Sequence, residues 1–101
     1  MELKLHPKAV QEINELFDYI SQKAGRSIAS AYIDRLYQFL DNLKTFPKRG
    51  SVREGETLGL RIVGFERRAS IAFQVEADVI IVLGVFAAGR NVTVDALRDR
   101  R

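Results

Sequence analysis

The chain has 101 residues, 47% of them hydrophobic, which is enough for one domain with a modest core, and we expect that domain to span residues 1–101. With no cysteine, one histidine and no glycine-rich phosphate loop, the sequence excludes disulfides, cysteine-histidine catalysis, histidine-rich metal sites and nucleotide hydrolysis, so we expect neither a metal nor a cofactor. The net charge of +3 favours a polyanionic or acidic partner.

The first half of the chain predicts one strand and two helices. Residues 2–6 alternate apolar and polar side chains as a short half-buried strand does, with no apolar stretch typical of a signal peptide or membrane span. We therefore expect a cytoplasmic protein. Pro7 suits the first turn of a helix, which should end near Gly25. A second helix, capped by Ser27, should run to Thr45, and the short link makes the two an antiparallel hairpin.

The second half predicts three strands. A charged, glycine-rich stretch at residues 48–59 is interpreted as a surface loop. Residues 60–65 are interpreted as a strand that presents Arg61 from its middle, residues 69–76 alternate as a strand with one apolar face, and residues 79–86 are apolar throughout. Short turns make these strands an antiparallel meander. The predicted fold is α+β with the order β-α-α-β-β-β, an antiparallel helical hairpin packed on one face of a small, mostly antiparallel sheet.

The last strand is apolar on both faces, whereas one helical hairpin covers only one face of a small sheet. The predicted uncovered residues are Ile80, Val82 and Phe86. Either the tail at residues 91–101 or an apolar segment of another protein should cover them. The apolar residues of this tail are Val92, Val94 and Leu97. Beyond one helical turn we expect the tail to be flexible.

Basic residues are concentrated after Pro47, where ten of them, nine being arginine, face seven acidic residues. The candidates for a phosphate-binding patch are Arg61, Arg90, Lys48, Arg49 and Arg53. Arg61 is the most informative, because an arginine within a strand needs water or an acid beside it. The alternative is a solvated face on which Arg61 pairs with Glu66 or Glu76.

Several strings, in this order and spacing along nearly the whole chain, resemble the ParE/RelE superfamily of bacterial type II toxins. They are Ala9, Ile13, Phe17 and Tyr19-Ile20; Ala31-Tyr32 to Leu43; Phe46-Pro47 with Gly50; Gly59-Leu60-Arg61; Ile71-Ala72-Phe73; and residues 79–86 with Gly89-Arg90. The resemblance implies a toxin neutralised by a cognate antitoxin in a hetero-oligomer. The residues we expect the antitoxin to contact are Ile80, Val82, Phe86, Val92 and Val94.

The resemblance leaves two activities, since the RelE-like branch cuts mRNA on the ribosome and the ParE-like branch poisons DNA gyrase. The nuclease branch places a tyrosine or histidine near the C-terminus, whereas the last tyrosine here is Tyr37 and the one histidine is His6. Arginine is a poor general acid or base, because its pKa exceeds 12. We therefore favour a gyrase inhibitor that lacks catalysis of its own. The alternatives are a ribosome-dependent mRNA endoribonuclease using the five basic residues above, and a chain that only binds its antitoxin.

Overall fold

A computed structural model describes residues 1–45, 51, 52, 59–87, 97 and 100. The elements are β1 (Glu2–Leu5), α1 (Pro7–Ala24), α2 (Arg26–Asn42), β2 (Ser51–Val52), β3 (Leu60–Phe65), β4 (Ala69–Glu76) and β5 (Val79–Ala87). The predicted α+β order is confirmed, with the two-residue strand β2 added inside the stretch that we predicted to be entirely loop. Neither described helix is long and apolar enough to cross a membrane.

The two helices form the predicted hairpin around one glycine. At the start of α1, His6 Nδ1 accepts a hydrogen bond of 3.0 Å from the backbone N–H of Lys8, and Pro7 occupies the first turn. Gly25 then ends α1 and directly precedes α2, at a φ of 96° that L-residues with side chains rarely adopt. The predicted cap at Ser27 is wrong, because α2 begins one residue earlier, at Arg26.

The five strands form one sheet in the order β1-β5-β4-β3-β2. β1 runs parallel to β5, and every other neighbouring pair is antiparallel. β5 therefore lies inside the sheet, as its apolar composition predicts, although β1 reaches only as far as its first half: the register ends at Leu5 opposite Val82. Among the residues that the structure describes, the second half of β5 has β4 on one side and no strand on the other.

A β-bulge reverses which residues of β5 face the helices. Phe73 is opposite Val82 and the preceding β4 residue is opposite Gly84, so Leu83 is an extra residue in β5. The residues that pack in the core under the helices are Ile80, Val82 and Val85. Those that pack on the other face are Ile81, Leu83 and Phe86. The prediction that Ile80, Val82 and Phe86 share an uncovered face is therefore wrong, since simple alternation fails at the bulge.

The second face of the sheet carries its own small apolar cluster. Its buried members are Leu60, Ala72, Leu83, Phe86 and Leu97, with Ile62 and Ile81 half-buried beside them. Leu97 comes from the C-terminal tail and is 6% exposed. Of the two predicted covers for this face, the structure thus shows the tail contributing Leu97 and Arg100, while Val92 and Val94 lie outside the described residues.

Candidate binding cleft

A cleft of about 400 Å³ lies between α1, the turn that joins β3 to β4, and the end of β5. Its apolar floor consists of Leu16, Ile20, Val85 and Ala87. The polar residues around that floor are Glu12, Glu15, Tyr19, Arg67 and Arg68. The ring of Tyr19 is 56% exposed, and Lys23 Nζ lies 6.0 Å from its centroid. The cleft thus combines an apolar floor, an exposed aromatic side chain and charged groups of both signs.

The turn between β3 and β4 has an unfavourable backbone. Glu66 and Arg67 are consecutive non-glycine residues with φ values of 47° and 60°. Left-handed backbone costs an L-residue about 1–2 kcal/mol, because Cβ approaches the carbonyl oxygen. Such strain persists only where surrounding contacts enforce it, and here the Arg68 N–H donates to the Phe65 carbonyl at 3.2 Å. This conformation places Arg67 and Arg68 on the wall of the cleft.

Arg35 of α2 holds the turn from the helical layer. Its guanidinium donates two hydrogen bonds, of 2.8 and 2.9 Å, to the two carboxylate oxygens of Glu66. These hydrogen bonds lower the pKa of Glu66 below its ordinary value of 4.5. Because Glu66 is engaged in this way, Arg67 and Arg68 form no ion pair with any residue that the structure describes. Two cations on the cleft wall are therefore available to a ligand.

Tyr32 supports the turn through packing. Its ring lies 5.5 Å from the ring of Phe65 and 5.7 Å from the guanidinium carbon of Arg35. Its buried hydroxyl has no hydrogen-bond partner among the described residues. Burial, followed by the nearby charge of Glu66, raises the pKa of this phenol, so it stays protonated at neutral pH. We assign Tyr32 to the packing of the turn.

At the opposite end of the cleft, Glu12 covers the part of the β5 edge that β1 leaves open. Its Oε1 accepts hydrogen bonds from the Val85 backbone N–H at 3.1 Å and from Arg100 Nη1 at 2.7 Å. The same Arg100 nitrogen donates to the Leu83 carbonyl at 3.3 Å. Both side chains are largely buried, with 15% of Glu12 and 11% of Arg100 exposed. The negative charge of Glu12 is thus neutralised within the fold.

Arg100 also fits closely against the second face of the sheet. Its guanidinium carbon lies 5.1 Å from the centroid of the Phe86 ring. A Cβ atom at Gly84 would lie 2.5 Å from Arg100 Nη1, so only glycine permits this approach. We did not predict the contact from the sequence. The one available signal was a glycine inside an apolar strand, which often marks a close approach by another group.

Arg61 is the one predicted phosphate-binding residue that the structure describes. It lies in β3 opposite Phe73. The alternative of an ion pair with Glu66 or Glu76 is not observed among the described residues, where Glu66 binds Arg35 and Glu76 accepts a hydrogen bond of 2.9 Å from the Gln74 side-chain amide. Lys48, Arg49, Arg53 and Arg90 lie outside the described residues. Within the described ranges, no group of acidic or histidine side chains is placed to hold a metal ion.

The ion pair between Arg35 and Glu66 predicts a pH-dependent contribution to stability. A carboxylate whose pKa is lowered by folding stabilises the fold above its unfolded value of 4.5, and this contribution is lost as the pH falls through the lower folded value. In urea unfolding, the wild-type midpoint should exceed that of Glu66→Gln at pH 7, and the difference should shrink progressively as the pH is lowered below 4.5. A difference that does not shrink would contradict this role for the pair.

Comparisons with known proteins agree on one family. The family model for "ParE toxin of type II toxin-antitoxin system, parDE" matches residues 3–92. A solved structure of the chromosomal ParDE TA system from P. aeruginosa has a TM-score of 0.74 and 24% sequence identity, and the match covers 87% of this chain and 96% of that chain. That likeness shows a shared fold. Among curated proteins there is no significant match. Because the family model spans most of the sequence, the chain belongs to the ParE toxins of type II toxin–antitoxin systems.

Proposed function

We propose that this toxin inhibits DNA gyrase and that a cognate antitoxin neutralises it in a hetero-oligomer. Membership of the ParE family supports the toxin role. The structural neighbour from P. aeruginosa is described as a ParDE toxin–antitoxin system, which supports an antitoxin partner here. The proposal that the toxin acts by binding its target, and does not cut RNA, rests on the position of Arg61 relative to the histidine and the tyrosines.

The single histidine lies three strands away from Arg61. Arg61 is opposite Phe73, Phe73 is opposite Val82, and Val82 is opposite Leu5, which directly precedes His6. Neighbouring strands lie about 4.8 Å apart, so three spacings separate His6 from Arg61 by about 14 Å. Its Nδ1 is also occupied as the cap of α1. A proton acceptor for RNA cleavage has to lie within hydrogen-bond reach of the attacking hydroxyl, and this separation counts against His6 in that role at a phosphate held by Arg61.

The three tyrosines of the chain are no better placed. The hydroxyl of Tyr32 is buried, and Tyr37 is exposed on α2. Tyr19 lines the cleft together with Arg67 and Arg68, which follow the end of β3 at Phe65. Phe65 is four residues from Arg61, which is about 13 Å along the strand. Among the described residues, no hydrogen bond or ring contact joins a histidine or tyrosine side chain to Arg61. This observation is our reason for proposing that the toxin acts by binding its target and does not cut RNA.

Of the residues that we predicted to contact the antitoxin, Ile80 and Val82 are withdrawn, because both are fully buried beneath the helices. Phe86 is retained as part of the proposal, together with Val92 and Val94. Its ring lies beneath the guanidinium of Arg100 at 5.1 Å. Contact between an antitoxin segment and Phe86 therefore requires Arg100 to move.

A supercoiling assay with purified gyrase and relaxed plasmid tests the proposed target. We expect the wild-type toxin to inhibit supercoiling and to trap cleaved plasmid, and equimolar antitoxin to restore the activity. Arg61→Ala should inhibit as strongly as the wild type, because Arg61 has no catalytic role in this proposal. In parallel, the toxin is incubated with translating ribosomes and their mRNA. Unchanged supercoiling together with mRNA cleavage that Arg61→Ala abolishes would instead establish the endoribonuclease.

A further inference from the structure

We propose that the cleft binds single-stranded DNA directly, with Arg67 and Arg68 on a backbone phosphate and Tyr19 stacked on a base. Nucleic acid as the ligand is inferred from the cleft itself, and the choice of DNA over RNA rests on the proposed function.

The charges at the cleft favour an anion. Arg67 and Arg68 are exposed and form no ion pair with the described residues, and Lys23 lies 6.0 Å from the ring of Tyr19. The charge of Glu12 is neutralised by Arg100 at 2.7 Å. Glu15 is the remaining acid of the lining. Within the lining, two arginines against the one uncompensated carboxylate of Glu15 leave a net positive charge, to which Lys23 beside Tyr19 adds, and this charge attracts phosphate.

The two arginines are held ready for a ligand. The bidentate contact of Arg35 with Glu66 maintains the left-handed turn that carries Arg67. It also occupies the acid closest in sequence to the two arginines. The fold therefore retains a strained turn whose result is two unpaired guanidinium groups on one wall. Guanidinium groups with free donors match the oxygen atoms of a phosphate.

The rest of the cleft suits an unstacked base. Its floor is apolar, and the ring of Tyr19 is 56% exposed beside it. Proteins that bind single strands combine a cationic groove with aromatic rings on which bases stack. A volume of about 400 Å³ is in the range of small-molecule sites and is large enough for one unstacked nucleobase. A base paired within a duplex does not present its face in this way, so the geometry points to a single strand.

The test is fluorescence anisotropy of a labelled dT12 oligonucleotide titrated with the full chain. The double variant Arg67→Ala, Arg68→Ala should weaken binding by about tenfold or more, and the slope of log K against log salt should become shallower by about 0.7, because the two arginines share one phosphate and each contacted phosphate contributes about 0.7. Tyr19→Ala should weaken binding by about 5- to 150-fold, whereas Tyr19→Phe should bind as the wild type does.

A matched control removes the same charge elsewhere. Lys4 on β1 and Lys44 after α2 are both exposed and neither lines the cleft, and the variant Lys4→Ala, Lys44→Ala should bind dT12 within about twofold of the wild type. An equal loss in this control would overturn the proposal, because binding would then follow net charge alone. Equal affinity of Tyr19→Ala and wild type would also overturn it, as would tighter binding of a dT12–dA12 duplex.

Two further arms separate this proposal from the proposed function. Binding of U12 but not dT12 would overturn the assignment of DNA. Unlabelled dT12 and an acidic peptide such as hexaglutamate are also compared as competitors that displace the labelled dT12. If hexaglutamate displaces it at concentrations at which unlabelled dT12 does not, nucleic acid is overturned as the ligand. The gyrase supercoiling assay gives an independent result, so a toxin that inhibits gyrase without binding dT12 would refute only the cleft assignment.

Discussion

Replacing Glu12 with alanine is expected to lower the free energy of unfolding by about 3–5 kcal/mol, because it removes one partner of a largely buried ion pair. The variant leaves the guanidinium of Arg100, of which 11% is exposed, without its carboxylate. It also leaves the Val85 backbone N–H without its acceptor at the open edge of β5. Urea unfolding measured by circular dichroism at pH 7 reports the change.

Two variants show whether this loss comes from the pair. Glu15→Ala removes an exposed carboxylate one turn further along α1 and should change the free energy of unfolding by less than about 0.5 kcal/mol. Glu12→Ala combined with Arg100→Met removes both charges, so it should be more stable than Glu12→Ala alone. If the double variant is the less stable of the two, the uncompensated charge of Arg100 is not the cause.

The helices and the last three strands were predictable because their periodicities are unambiguous. The spacing of Ile13 and Ile20 in α1 and the alternation through β4 each identify one buried face, which the structure confirms. The order of elements then limits the architecture to a helical hairpin on a sheet. What remained unpredicted was non-local. The parallel pairing of β1 with β5 joins residues about 77 positions apart, and no short-range pattern encodes it.

The candidate site was less predictable than the fold, for two physical reasons. The bulge at Leu83 interrupts the alternation of β5, so Ile80 and Val82, which precede it, were assigned to the wrong face, whereas Phe86 beyond it was assigned to the correct one. The cleft depends on contacts between distant residues, such as Arg35 with Glu66 and Glu12 with Arg100. From the sequence, we interpreted residues 66–68 only as a charged turn, because the left-handed backbone of Arg67 follows from its tertiary support.

The corrected faces of β5 predict opposite behaviour for two adjacent isoleucines. Ile80→Ala should lower the free energy of unfolding by about 2–5 kcal/mol, since the side chain is fully buried in the core beneath the helices. Ile81→Ala should cost less than half as much, because Ile81 is half-buried on the second face. Urea unfolding of the two variants beside wild type gives this comparison directly.

The pair of variants is matched in chemistry, in strand and in the atoms deleted, so the difference reports the environment alone. A partner surface at Ile80 would predict the reverse, with little change in stability and a loss of antitoxin binding. Equal losses for the two variants would mean that the second face is packed as tightly as the first. A larger loss for Ile81→Ala would place the helices on the opposite face of β5 and contradict the register on which the cleft depends.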